Sequence, residues 1–460
     1  MNFDIIIIGS GPGGYVAAIR ASQLGFNTAI VERAELGGVC LNWGCIPTKA
    51  LLRSAHALEE IRHAASFGIE ITGDIKPDFN KIIDRSRGVS AAMSSGVQFL
   101  LKKNKVTVIN GSGKLIDNST VQVTDSDSNT TLYSAGKIII ATGARARILP
   151  NIPVDGDKVI SYREALTLKT LPESMVVIGS GAIGVEIASF YHTLGVKVTI
   201  IEYLPNIVPT EDEEVSKYLE RSFRKAKLSF MTKSSVTKVD TTQDKCLVTV
   251  ATPKGEQIIE CDKVLSAVGV QANIENLGLE ELDIATEKGK ITVDEWYETS
   301  VKGVYAIGDV IPTVSLAHVA SAEAVCCIEK IAGLSPKKID YSIIPSCIYT
   351  APEISSVGMK EKEAIEKGYE VRIGKFPYTA SGKATAMGNK DGFIKLVFDA
   401  KSEKLLGAHF IGTNVTEMIT EATLSLELGV TAEQLASTIH PHPTLSEAIM
   451  ESSCSVPIHL

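Results

Sequence analysis

Two segments of the chain carry the same succession of apolar and polar positions. In the first, Ile5-Ile6-Ile7-Ile8 follows Asp4 and runs into Gly9-Ser10-Gly11-Pro12-Gly13-Gly14. A short apolar run that ends in glycines predicts a buried strand and a tight turn. Residues 15–24 then read as a helix closed by Gly25, and residues 28–31 as a second strand that ends in Glu32. In the second segment Met175-Val176-Val177-Ile178 runs into Gly179-Ser180-Gly181-Ala182-Ile183-Gly184. A helix is predicted over 185–194, closed by Gly195, and a strand over 197–201 that ends in Glu202. Gly9 to Glu32 and Gly179 to Glu202 have the same spacing, so one unit occurs twice.

Elsewhere the pattern changes. Residues 54–101 read as largely helical, and residues 105–137 alternate like a β-meander with a polar turn at 125–131. From about Ile343 the glycine loops cease, and a strand over 392–398 and an amphipathic helix over 416–428 predict a C-terminal domain of α+β type.

A lone glycine motif is weak evidence, but strand, glycine loop, helix, strand and acid in this order form a mechanistic unit. Gly9 and Gly179 allow the tight turn, Gly11 and Gly181 let a pyrophosphate approach the backbone, and Gly14 and Gly184 let the helix pack close to the strand. The pyrophosphate meets the helix N-terminus, and Glu32 and Glu202 accept from ribose hydroxyls. At the second unit Glu202 repels a 2′-phosphate, and Tyr203-Leu204-Pro205-Asn206 offers no arginine to hold one, which favours NAD over NADP. The motif alone does not separate FAD from NAD, since both carry an ADP half.

With 460 residues, about three domains are expected. The 46 Lys and Arg against 54 Asp and Glu leave a net charge of −8, which excludes a broad basic field for nucleic acid or anionic membrane. No apolar run approaches the roughly 18 residues of a membrane span, and Met1-Asn2-Phe3-Asp4 lacks the basic lead of a signal or transit peptide. Eight cysteines are too few for a secreted disulfide scaffold, so a cytoplasmic protein is expected. Cys246, Cys261, Cys326, Cys327, Cys347 and Cys454 lack metal-ligand spacing, and no metal site is expected.

The remaining two thiols lie in Gly37-Gly38-Val39-Cys40-Leu41-Asn42-Trp43-Gly44-Cys45-Ile46-Pro47-Thr48-Lys49. In an ideal helix, residues five apart have Cα atoms roughly 8 to 9 Å apart, beyond the roughly 7 Å limit for a disulfide. Either the segment bends and holds a strained, easily reduced disulfide, or the thiols are separate and buried. This stretch resembles the active site of the flavin-dependent pyridine nucleotide-disulfide oxidoreductases. Its Leu-Asn and Cys-Ile-Pro pattern is most similar to the members that act on dihydrolipoyl groups. Trp43 and Thr48 depart mildly, and neither removes a reacting group. Ile139-Ile140-Ala141-Thr142-Gly143, Val304-Tyr305-Ala306-Ile307-Gly308-Asp309 and Ala267-Val268-Gly269 resemble further family signatures, so the resemblance covers essentially the whole chain.

It implies an α/β fold of two Rossmann-like dinucleotide-binding domains with a C-terminal α+β dimerisation domain. Residues 1–147 and 271–342 are expected to bind FAD, 148–270 NAD, and 343–460 to form the subunit interface. The resemblance implies a redox disulfide between Cys40, the interchange thiol that attacks substrate, and Cys45, the thiol facing the flavin. It assigns Gly9, Gly11, Gly14, Glu32, Thr142, Gly143, Asp309 and Ala317 to FAD and Gly179, Gly181, Gly184, Glu202 and Gly269 to NAD. Lys49 and Glu186 match the family's ion pair near the flavin.

Near the C-terminus stands Ile439-His440-Pro441-His442-Pro443-Thr444-Leu445-Ser446-Glu447. The prolines block a helix through both histidines, and Thr444 with Glu447 predicts a capping box for a final helix. The resemblance makes His442 the base that takes a proton from a dihydrolipoyl thiol and Glu447 the carboxylate that orients it, while His440 is expected to be structural. In the family this histidine serves the disulfide of the other subunit, so a homodimer is implied. The partner implied is a lipoyl-bearing acyltransferase of a 2-oxo acid dehydrogenase complex or the carrier protein of the glycine cleavage system. A glutathione-type reductase would want arginine in place of Glu202, and mercuric or large thioredoxin reductases would want a second C-terminal redox pair. A non-catalytic flavoprotein scaffold has no need of Cys40, Cys45, His442 and Glu447 together.

Overall fold

The computed structural model describes residues 2–456. Met1 and 457–460, the ends of the first and last expected domains, lie outside the described residues. The chain divides into two compact units.

Residues 1–50, 80–147 and 269–341 make up the first unit. It contains β1 (Asn2–Ile8), α1 (Pro12–Gln23), β2 (Thr28–Glu32) and α2 (Gly38–Asn42), followed by the start of α3 (Cys45–Arg62). After α4 (Phe79–Lys103) come β3 (Thr107–Asn110), β4 (Ser112–Asp117), β5 (Thr120–Thr124) and β6 (Thr130–Ile140). The sheet runs β3-β2-β1-β6-β5-β4, and Val304–Ala306 pairs with β6. β3, β2, β1, β6 and Val304–Ala306 are parallel, while β4, β5 and β6 form the antiparallel meander. β6 serves both parts: its mostly exposed first half pairs with β5, and Ile138-Ile139-Ile140 is fully buried between β1 and Val304–Ala306. Ile5, Ile6 and Ile7 are likewise buried on both faces, as expected where helices cover a parallel sheet.

Residues 51–79, 148–268 and 342–460 form the second unit. Its five-stranded parallel sheet runs Ser229–Met231, Lys197–Ile201, Ser174–Ile178, Lys263–Ser266, Val159–Ile160. Beside it lies a three-stranded antiparallel sheet of Ser235–Asp240, Cys246–Thr252 and Gly255–Cys261. A five-stranded antiparallel sheet follows in the C-terminal part, in the order Ser346–Ile348, Glu353–Gly358, Leu405–Gly412, Phe393–Asp399, Val371–Pro377. Helices Val415–Leu428 and Glu447–Cys454 pack on it.

Both glycine-unit helices start three residues before the expected positions, at Pro12 and Ala182, because Gly11 and Gly181 act as N-caps and proline is tolerated in a first turn. The expected helical stretch 54–101 is interrupted over 68–78, where Gly68 and Gly73 adopt positive φ and Pro77 ends the break. Strand Phe393–Asp399 is buried at every position, Lys395 included. Lys395 Nζ is held by Asp212 at 3.1 Å and Glu361 at 2.7 Å, which compensates a charge that would otherwise be too costly to bury.

Candidate active site

The two glycine loops are built alike. Gly9 and Gly179 have φ of 102° and 98°, and a Cβ on them would lie 2.4 and 2.5 Å from the carbonyl oxygens of Ala141 and Ala267. At Gly14 and Gly184 a Cβ would lie 1.9 and 2.2 Å from the carbonyl oxygens of Gly9 and Gly179, so helix and strand are in backbone contact. At Gly11 and Gly181 a Cβ would meet nothing within 4 Å. Neither helix has a side-chain cap, so first-turn N–H groups face that open space. Each loop is therefore a cradle whose donors and positive helix end suit a pyrophosphate. Gly14→Ala is expected to force the helix off the strand, and the purified variant should carry less bound flavin per chain than wild type by visible absorbance.

The acids do more than wait for a ribose. Glu32 Oε2 accepts from Ser10 N–H at 2.9 Å and from its hydroxyl at 2.6 Å, and Oε1 accepts from Ala34 N–H at 2.9 Å. Glu202 repeats the arrangement with Ser180 at 2.9 and 2.6 Å and Leu204 N–H at 2.7 Å. A carboxylate has about four lone-pair positions, so each acid braces its loop and keeps one acceptor site for a sugar hydroxyl. Ser10 and Ser180 are residues the sequence reading missed, although both stand at the same place in the repeated unit.

The dithiol segment is tied to the first loop. Gly37 N–H donates to the carbonyl oxygen of Ser10 at 3.1 Å, and a Cβ on Gly38 would lie 2.7 Å from Gly11 Cα. α2 carries Cys40 and ends at Asn42; Trp43, at φ −138° and ψ 12°, breaks the helix before α3 starts at Cys45. That break is the required bend. Asn42 Nδ2 donates to the carbonyl oxygens of Leu36 and Gly38 and so fastens the turn. The Arg87 guanidinium stacks 4.2 Å over the Trp43 ring and donates to the Asn42 carbonyl oxygen at 2.6 Å. Trp43 thus closes one side of the bend with a cation–π contact.

Cys40 and Cys45 are in contact, Cys45 exposed and Cys40 half-buried. The contact with Cys45 and burial push the Cys40 thiol up, while the Lys49 ammonium pulls it down. Cys40 therefore holds its proton against the Cys45 sulfur.

Other expected site residues take up defined places. In the first unit the Thr142 hydroxyl donates to the Asn273 carbonyl oxygen at 2.6 Å, and Gly143, at φ 67°, accepts from Asn273 N–H at 2.9 Å. Gly269, at φ 101°, accepts from Arg147 N–H. Asp309 lies in a 3₁₀ turn, where burial raises its pKa against the pull of Lys290. Ala317 opens helix Ala317–Ile331. Glu323 on that helix, fully buried, accepts from Gly308 N–H at 2.7 Å, Thr313 hydroxyl at 2.7 Å and Tyr341 hydroxyl at 2.9 Å. It fixes the turn that carries Asp309 and gave no signal in the sequence. In the second unit Glu186 is buried on helix Ala182–Thr193 and accepts from Tyr349 N–H at 3.0 Å.

Also in the second unit, His442 Nδ1 lies 2.8 Å from Glu447 Oε1, and the other oxygen accepts from Thr444 N–H at 2.8 Å. The imidazole is 77% exposed, so Nε2 is open to solvent. The expected capping box is only half present. The Thr444 hydroxyl donates to Pro441 instead of accepting, and the final helix starts at Glu447 with Ser446 as N-cap. His440 is bonded through both ring nitrogens, to the Thr438 carbonyl and to Glu421, each at 2.8 Å, which leaves it structural.

The Thr444 N–H and then His442 hold the Glu447 carboxyl below its ordinary value of about 4.5. A depressed carboxylate adds stability above the unfolded pKa and loses it as pH falls through the folded one. The melting-temperature gap between wild type and Glu447→Gln is accordingly expected at neutral pH, closing below about pH 4.5.

A dinucleotide cradle beside a bent dithiol, with a second cradle and a carboxylate-held histidine further along the chain, defines a disulfide oxidoreductase of the nucleotide-dependent class. The family model described as pyridine nucleotide-disulphide oxidoreductase matches residues 3–324, and that family's dimerisation domain matches 344–453. The chain belongs to this family. It is 47% identical to the dihydrolipoyl dehydrogenase of Rhizobium etli, over 98% of this chain and 97% of that protein. It is 45% identical to that of Bacillus subtilis, over 98% and 97%. Among solved structures it superposes on LpdA from Mycobacterium tuberculosis with a TM-score of 0.91 at 28% identity, over 98% of both chains. It superposes on the HOCl-induced flavoprotein disulfide reductase RclA from Escherichia coli with a TM-score of 0.88 at 26% identity, over 99% and 100%. No helix among the described residues is long and apolar enough to cross a membrane.

Proposed function

We propose that the chain oxidises dihydrolipoyl groups through Cys40 and Cys45 with FAD and reduces NAD+ to NADH. The observation that carries this reading is the bent Cys40–Cys45 dithiol fastened to the first glycine loop, in a chain nearly half identical to dihydrolipoyl dehydrogenases along its length. FAD bound there would supply a two-electron acceptor for the dithiol and a hydride donor to NAD+.

The chain's own residues divide the rest of the work. Gly9, Gly11 and Gly14 with Glu32 hold the ADP half of FAD, and Thr142, Gly143, Asp309 and Ala317 line the remainder of that cofactor's path. Gly179, Gly181, Gly184, Glu202 and Gly269 hold NAD. Lys49 and Glu186 supply charge near the flavin. Cys40 exchanges with the substrate dithiol, Cys45 carries the thiolate, and His442 held by Glu447 takes the substrate proton. Residues 1–147 with 271–342 form the FAD domain, 148–270 the NAD domain and 343–460 the interface of a homodimer. In that homodimer His442 of one subunit serves the dithiol of the other. A dilution series should find the active species dimeric; an active monomer would contradict the shared site.

Its electron donor in the cell is read as a lipoyl-bearing acyltransferase or glycine-cleavage carrier protein, and the sparse cysteines support a cytoplasmic enzyme. Steady-state assay with dihydrolipoamide and NAD+ tests the reading: NADH formation is expected, and reduction of glutathione disulfide by NADPH without it would overturn it. Because the Glu202 carboxylate would repel a 2′-phosphate, kcat/KM for NADP+ should fall about 100-fold or more below that for NAD+.

A further inference from the structure

A second pair of thiols stands in contact away from the active-site segment. Cys246 and Cys261 are directly opposite each other in the antiparallel pair of strands Cys246–Thr252 and Gly255–Cys261. Opposed residues in such a pair have Cα atoms about 4.5 to 5.5 Å apart, inside the roughly 4.4 to 6.8 Å range of disulfides. Cys246 Sγ also lies 4.0 Å from the Lys158 carbonyl oxygen and 3.9 Å from that of Asp262. Cys326 and Cys327, the other close pair, are neighbours on one helix and point apart.

We propose that Cys246 and Cys261 form a second two-electron redox site, which closes to a cross-strand disulfide when the protein meets a hydroperoxide. Both side chains are buried, but Cys246 opens its strand and Cys261 closes the facing one, so the pair sits at the open end of the hairpin. Strand ends open locally at low cost, and a peroxide is little larger than water.

The order of attack follows from the surroundings. The contact with Cys261 and the Lys158 and Lys263 ammonium groups favour the Cys246 thiolate against its burial, while the Cys261 thiol is pushed up, first by that same contact. Cys246 sulfur attacks a peroxide oxygen; the O–O bond breaks, and the departing hydroxide takes a proton to become water. Cys261 sulfur then attacks the resulting sulfenic sulfur; the S–S bond forms, the S–O bond breaks, and the second hydroxide leaves as water with the Cys261 proton. Two thiols lose two electrons and two protons, and hydrogen peroxide is reduced to two waters.

The test uses the FAD-loaded enzyme, reduced with dithiothreitol, desalted and exposed to hydrogen peroxide, then denatured in N-ethylmaleimide and digested with trypsin. Cleavage after Lys254 separates the two cysteines, and closure of Cys40 with Cys45 in the same sample reports that the oxidant has acted. The expected result is a joined pair of peptides holding Cys246 and Cys261, two hydrogens lighter than their sum and released by dithiothreitol. In Cys261→Ser, dimedone should trap a sulfenic acid on Cys246. Alkylation of both cysteines in wild-type samples whose Cys40 and Cys45 have closed would overturn the proposal, as would irreversible oxidation of either without the joined peptide.

Discussion

Replacing Cys45 by serine abolishes dihydrolipoamide-driven NADH formation while FAD stays bound at wild-type stoichiometry. The cradle proposed for the cofactor's pyrophosphate is made by Gly9, Gly11 and Gly14 and braced by Ser10 and Glu32, and Cys45 belongs to none of these contacts. The sulfur nevertheless has no substitute in the relay, because a serine hydroxyl neither closes to a disulfide with Cys40 nor passes on an electron pair. A fall of about 10⁴-fold or more in turnover is expected, the scale seen when a reacting nucleophile is removed. Turnover under dihydrolipoamide and bound flavin absorbance check both halves of the prediction.

The second large effect belongs to His442. Its Nδ1 is engaged by Glu447, which leaves Nε2 on an exposed ring to accept a proton. His442→Ala should lower kcat by about 10² to 10⁴-fold, the usual contribution of a positioned base. The loss should shrink as pH rises toward the ordinary thiol pKa of about 8.5, where dihydrolipoamide ionises unaided. A structural role would give a loss that does not depend on pH, so the pH profile of the variant separates the two.

Much of this architecture is legible in the sequence because it rests on short-range pattern. Ile5 to Ile8 and Met175 to Ile178 are continuous apolar runs of the length of a strand covered on both faces, and each ends in glycines with distinct steric needs. The bend between Cys40 and Cys45 was likewise forced by helix geometry and is supplied by Trp43 and Gly44.

Interactions that bring distant residues together left weaker marks. Ser10 and Ser180 could have been found by laying the two glycine units over each other, since both sit between the first two glycines. Glu323 reads as an ordinary helical acid, and only the fold brings Gly308, Thr313 and Tyr341 to it. Lys395 reads as a solvated strand position, and its partners Asp212 and Glu361 come from elsewhere in the chain. At Thr444 a local motif was legible but lost to its context. Pro441 offers a carbonyl to the hydroxyl and His442 claims one oxygen of Glu447, so the helix starts two residues later than the motif implies.

The most direct test of the central claim is a single-turnover experiment on the oxidised, FAD-loaded protein under anaerobic conditions. One equivalent of dihydrolipoamide is added, Cys40 and Cys45 are followed by alkylation and mass spectrometry, and NAD+ is then supplied. The account predicts that two alkylatable thiols appear at Cys40 and Cys45 and disappear again as one equivalent of NADH forms. Formation of NADH with Cys40 and Cys45 unchanged throughout, or thiols that NAD+ never discharges, would contradict it.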